Sequence, residues 1–206
     1  MTDKRPPQAE FTESERRKMH LYLHQEYLGD KRRSLFREHP IITDGAKDFL
    51  EEFVRECGQV RVLEFGGGGS TIWFARNAAR LITVEHDEFW FGHLRERLRE
   101  MRLEQNVQLM HCSRPYHHVA DQLQDGSVDL VLVDGRDRVR CALASTRVLR
   151  SGGVMMLDNS ERAHYSRVHD ELKKWKQSFA AQEQIVDRYG FVADDIAWTT
   201  HWWIKP

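Results

Sequence analysis

Cysteine is scarce in this chain: Cys57, Cys112 and Cys141 are the only three in 206 residues, far apart and with no CxxC pair. That excludes a disulfide scaffold and a zinc ribbon, and it suits a reducing compartment. No apolar run approaches the ~20 residues that cross a bilayer, so a membrane-spanning helix is excluded. The opening MTDKRPPQAEFTESERRK lacks the apolar stretch of a secretory signal, and a cytoplasmic protein is expected. Charge of one sign is not in excess either: 31 Lys and Arg face 32 Asp and Glu, a formal net of −1. A general nucleic-acid binder would be strongly basic, so nucleic acid is not the expected partner. Internal repeats and low-complexity tracts are also missing.

Hydrophobic residues make up 40% and charged residues 31%, a balance that suits a soluble globular protein rather than a disordered one. The length suggests one domain with a short extension. Residues 1–57 read as a polar arm followed by helices, one from Thr12 to Leu28 and one from Gly45 to Cys57 capped by Asp44. Lys31-Arg32-Arg33 lies between them and reads as solvated charge. Residues 58–206 alternate short apolar runs with amphipathic stretches. Strands are expected at Val60–Phe65, Leu81–Glu85, Val107–His111, Val128–Val133 and Val154–Leu157, and helices at Ser70–Ala79, Glu88–Leu103, Val139–Leu149 and Arg162–Ala181. In the tail, Gln184–Tyr189 and Ile196–Ile204 are expected to pair antiparallel. Continuous apolar strands separated by helices predict a doubly wound, mostly parallel sheet covered on both faces. With the tail it has seven strands, the last one antiparallel, preceded by an N-terminal helical extension. Alternation along the last strand puts Trp198 and Trp202 on one face and Trp203 on the other, which fits two-sided burial or a homodimer contact.

The strongest local signal is Val62-Leu63-Glu64-Phe65-Gly66-Gly67-Gly68-Gly69-Ser70-Thr71, a strand that runs through four glycines into a helix. Glycine lets a ligand approach the backbone, and the helix start offers free amides. A dinucleotide fingerprint G-x-G-x-x-G needs a third glycine, but the sixth position is Thr71 counted from Gly66 and Ile72 counted from Gly67. Instead Glu64 stands two residues before Gly66, and an acid suits a cationic sulfonium better than a pyrophosphate. Glu85 closes the second strand 19 residues after Gly66, where an acid accepts ribose hydroxyls. His86 follows as a ribose or adenine neighbour.

The segment E-F-G-G-G-G-S-T resembles the first motif of class I S-adenosylmethionine-dependent methyltransferases. The resemblance implies a Rossmann-like methyltransferase fold and S-adenosylmethionine as cofactor. It implies cofactor contacts from Glu64, Gly66, Gly67, Gly68, Ser70, Thr71, Glu85 and His86, from Ser113 after strand three, and from Asp134.

Asp134 in L-V-D-G and Asp158-Asn159 in M-L-D-N-S close neighbouring strands, so they converge above the carboxyl edge. This set is similar to that of catechol and caffeoyl-coenzyme A O-methyltransferases. It implies Mg²⁺ held by Asp134, Asp158 and Asn159, with Asp134 and Asp158 in catalysis and transfer to an oxygen of a small molecule. The chain departs from that pattern where those enzymes place a lysine base: here stands Asp137, among Arg136, Arg138 and Arg140. The string V-D-G-R-x-R-V-x-C-A is also similar to bacterial methyltransferase-like proteins. Without a metal, Asp134 would position cofactor and substrate, and Asp158 and Asn159 would order the loop. His164 is a candidate general base. A non-catalytic cofactor-binding module and an NAD(P)-dependent oxidoreductase are the competing readings.

Overall fold

The computed structural model describes residues 38–113, 115–182 and 198–206. The helix expected at Thr12–Leu28, the basic run Lys31–Arg33 and the strand expected at Gln184–Tyr189 lie outside them.

Helix α1 (Asp44–Cys57) leads into β1 (Arg61–Phe65), α2 (Gly69–Asn77), β2 (Arg80–Glu85), α3 (Glu88–Glu100) and β3 (Val107–His111). A 3-10 turn (Tyr116–Gln122) precedes β4 (Val128–Val133), α4 (Arg138–Ser145) and β5 (Leu149–Leu157). A second 3-10 turn (Ala163–Tyr165), α5 (Ser166–Leu172), β6 (Lys176–Gln182) and β7 (Trp198–Ile204) complete the order. The seven strands form one sheet, β3-β2-β1-β4-β5-β7-β6, in which β7 runs antiparallel to β5 and β6 and the pairs from β3 to β5 are parallel.

Alternation along the strands divides the core into two layers. Val62, Leu130, Leu132, Val154, Met156 and Trp202 face α1, α2 and α3. Leu63, Phe65, Val131, Val133, Met155, Leu157 and Trp203 face the first 3-10 turn, α4 and α5. Trp202 and Trp203 thus occupy opposite faces within one chain, as the alternation predicts. Asp129, the one polar residue of β4, is buried at the opposite end of the strand from the glycines. It accepts from Arg61 Nε at 2.9 Å and Arg150 Nε at 2.5 Å. Burial opposes its charge, but these bonds hold its carboxyl at about 2.

Two expectations change. Asp44 is the first helical residue of α1, with Thr43 at the cap position and no side-chain cap bond. Its charge therefore acts on the helix dipole instead of on a free amide. The helix expected over Arg162–Ala181 ends at Leu172, and residues 176–182 are strand. β6 is the sheet edge and is mostly exposed, so it carries no apolar alternation that would announce it. α1 packs on the β6–β7 end of the sheet, where Phe49 stacks on Trp202 at 4.8 Å between ring centroids.

Candidate active site

β1 is flanked by β2 and β4, so the strand order reverses beside it and opens a crevice at the carboxyl edge. A cleft of about 730 Å³ lies there, within the size range of small-molecule sites. Gly66, Gly67, Glu85, His86 and Trp90 line one side. Asp134 to Val139, Asn159, Arg162, His164 and Tyr165 line the rest.

Backbone contact explains two of the glycines. Gly66 has φ +95°, and a Cβ there would lie 2.6 Å from the backbone of Gly135. Gly135 in turn would drive a Cβ to 2.7 Å from the Tyr116 hydroxyl. The loops after β1 and β4 are therefore in direct backbone contact, which only glycine permits.

Glu85 is 3% exposed and ties the glycine-loop side of the cleft together. Its Oε2 accepts from the Gly67 amide at 3.0 Å, and its Oε1 from the amides of His86 and Asp87, both at 2.8 Å. Trp90 Nε1 closes the ring by donating to the Gly67 carbonyl at 2.6 Å. The carboxylate keeps a lone pair on Oε2 for a further donor.

Glu64 lies beneath the loop instead of in the cleft. It shares the β1 face of Val62, and its carboxyl accepts from the hydroxyls of Ser70, Thr71 (2.6 Å) and Thr83 (2.7 Å). Burial pushes its carboxyl up to about 7 against these bonds. Ser70 and Thr71 are buried with it, Gly68 stands at the α2 start, and Ser113 is exposed; none of the four lines the cleft.

The linkage for Glu64 has a definite sign. Its folded value lies above the ordinary 4.5, so the folded state holds a proton that the unfolded state has released. Its stabilising contribution is complete below 4.5 and is lost as pH rises to about 7, at roughly 1.4 kcal/mol per unit. Glu64→Gln is expected to flatten that fall in urea midpoints measured across the window. An unchanged pH slope would show that Glu64 is already ionised throughout.

Asp134, Asp158 and Arg138 form the other end of the site. Arg138, only 8% exposed, donates Nε to the Gly135 carbonyl at 2.9 Å. Its Nη2 reaches the Asp134 carbonyl at 2.9 Å and Oδ1 at 3.0 Å. Its Nη1 donates to the Asp158 carbonyl and lies 3.8 Å from Asp158 Oδ2. The guanidinium thus bridges the ends of β4 and β5. Asp158 turns Oδ1 toward Thr200 Oγ1 (2.7 Å) and Trp198 Nε1 (2.8 Å). Burial raises the proton affinity of both aspartates, mutual repulsion adds to it for Asp158, and Arg138 opposes it.

The Mg²⁺ expected at Asp134, Asp158 and Asn159 does not fit this arrangement. The guanidinium already holds the cationic position between the carboxylates, and both Asp158 oxygens face donors. Among the described residues no group of three or more His, Cys, Asp or Glu could hold a metal ion. Asp158, 2% exposed, stands behind the cleft, whereas Asp134, Asn159 and His164 line it. Asp137, at the place of the expected base, pairs with His117 Nδ1 at 3.1 Å and Arg140 at 3.8 Å. The sequence noted arginines here but not the role of Arg138; its signal was their number beside two strand-end aspartates.

A Rossmann-like sheet with a glycine loop at its reversal point and an acid closing β2 defines the class of fold, that of a methyltransferase domain. More particularly, residues 63–160 match the family described as methyltransferase domain. No curated protein matches the sequence. Among solved structures it is similar to a Klebsiella pneumoniae protein assigned as an O-methyltransferase, at 24% identity and TM-score 0.60, covering 85% of this chain and 89% of that one. Cofactor-bound Rv0187 from MTB is similar at 21% identity and TM-score 0.62, over 86% and 89% of the two chains. The O-methyltransferase TomG from Streptomyces achromogenes, in complex with SAM, is similar at 22% identity and TM-score 0.60, over 80% and 82%. These likenesses establish the fold, which by itself leaves the acceptor open.

Proposed function

We propose that this chain is an S-adenosylmethionine-dependent methyltransferase and acts on an oxygen of a small-molecule acceptor. The observation that carries this reading is the division of one cleft into two unlike sides: Gly66, Gly67, Glu85, His86 and Trp90 on one, and Arg136, Arg162 and the exposed His164 on the other. S-adenosylmethionine, when bound, supplies a methyl group on a sulfonium leaving group. Gly66 and Gly67 present backbone to it along the cleft, and Glu85 accepts a ribose hydroxyl on its remaining lone pair. Asp134, held by Arg138, presents a fixed carboxylate between the two sides. His164 takes the proton of the acceptor hydroxyl, and the other residues align the reactants, the larger part of such catalysis. The similarity to O-methyltransferases supports oxygen as the methylated atom.

Calorimetric titration with S-adenosylhomocysteine, with NAD⁺ as control, tests the cofactor half. Micromolar binding of the first alone is expected; binding of NAD⁺ instead would revive the oxidoreductase. Labelled methyl transfer to hydroxylated compounds tests the acceptor half. His164→Ala is expected to lower kcat about 100-fold. A product labelled on nitrogen would reject the oxygen assignment.

A further inference from the structure

The charges of the cleft balance in number but not in pairing: Glu85, Asp134 and Asp137 face Arg136, Arg138 and Arg162. Glu85 is satisfied by three amides and Asp134 by Arg138. Asp137 is satisfied by His117 and Arg140. Every acid lining the cleft therefore has its partner, and Arg138 is used up in bridging the strand ends. Two cleft-lining guanidinium groups are left over. Arg136 is exposed and its side chain has no partner among the described residues. Arg162 is 48% exposed and its only acceptor among them is the adjacent Glu161, at 3.7 Å. Glu161 is itself occupied by the Thr199 amide at 3.0 Å.

Both arginines stand on fixed backbone. The Arg136 carbonyl accepts from the buried Tyr116 hydroxyl, and the Arg162 carbonyl accepts from the Tyr165 amide at 2.9 Å. The Arg136 side chain has no partner among the described residues and that of Arg162 is held only by Glu161, whereas their attachment points are fixed. His164, two residues after Arg162, lines the same cleft. A planar guanidinium grips a carboxylate or phosphate through paired N–H bonds.

We propose that the acceptor is an anion, a small hydroxylated molecule bearing a carboxylate or a phosphate that Arg136 and Arg162 hold beside His164. This rests on the methyl-transfer reading and names its substrate class. The anion also offsets the charge that His164 acquires when it takes the hydroxyl proton.

The test uses the full chain saturated with S-adenosylhomocysteine and titrated with 3,4-dihydroxybenzoate, inorganic phosphate and the uncharged 3,4-dihydroxybenzamide. At least one anion is expected to bind at least tenfold more tightly than the amide, and the better one identifies the anionic group. Arg136→Gln and Arg162→Gln are each expected to weaken that anion about tenfold while S-adenosylhomocysteine affinity stays unchanged. The proposal is overturned if neither anion outbinds the amide, or if the substitutions leave anion binding intact. Loss of S-adenosylhomocysteine affinity in Arg136→Gln also overturns it, by assigning that guanidinium to the cofactor's own carboxylate. Failure of the wild type to bind S-adenosylhomocysteine is a different result, and it rejects the underlying cofactor reading.

Discussion

Replacing Glu85 with alanine is expected to weaken S-adenosylhomocysteine binding about 100-fold while the chain still folds. Three backbone amides, of Gly67, His86 and Asp87, converge on this carboxylate. Each buried amide left without an acceptor costs about 1–3 kcal/mol. Part of that loss is relieved if the loop moves toward water, and such movement is what destroys the cofactor side of the cleft. Glu85→Gln keeps one acceptor oxygen but turns an NH₂ group toward an amide, so an intermediate loss of about tenfold is expected. Calorimetry on the three proteins, with urea midpoints alongside, separates binding from folding. Unchanged affinity in Glu85→Ala would move the nucleoside away from the end of β2.

The second large effect is expected at Arg138. Its guanidinium serves the carbonyls of Asp134, Gly135 and Asp158 and lies against two carboxylates. Arg138→Met leaves these groups with no cation, and breaking a buried ion pair from one side costs about 3–5 kcal/mol. The loss depends on pH with a worked-out sign. Burial already holds the proton affinities of Asp134 and Asp158 above the ordinary 3.8, and removing Arg138 raises them further. Groups raised in the folded state give their stabilisation at low pH and lose it as pH rises. Urea midpoints of Arg138→Met are therefore expected to fall further below wild type at pH 8 than at pH 5.5, given this direction of shift. A loss equal at both pH values would show that Arg138 acts by packing alone, for instance against the Tyr165 ring 5.9 Å away. Mg²⁺ at millimolar levels is expected to leave the wild-type Tm unmoved. A rise of several degrees would restore a cation site at the two aspartates.

The glycine-loop side of the cleft was legible as local structure because its determinants are local. A strand entering E-F-G-G-G-G-S-T and a strand ending in Glu85 lie in adjacent parallel strands, where register places Phe65 beside Val84. Alternation likewise put Trp202 and Trp203 on opposite faces. The direction of Glu64 was less legible. The residue is two positions from Gly66, yet pleating turns it under the loop, onto hydroxyls that come from both α2 and β2. β6 escaped notice because an exposed edge strand needs no apolar pattern.

The sequence by itself determined the order of strands and helices from β1 to β5, the glycine loop and the strand-end acids, because strand pattern and turn chemistry act over a few residues. Tertiary structure alone decided what the acids do. Asp158 is met by Trp198 and Thr200, 40 and 42 positions away, and by Arg138, 20 positions before it. Whether two carboxylates receive a metal ion or a guanidinium depends on which charge the fold brings between them, and that is settled only when the ends of β4, β5 and β7 meet.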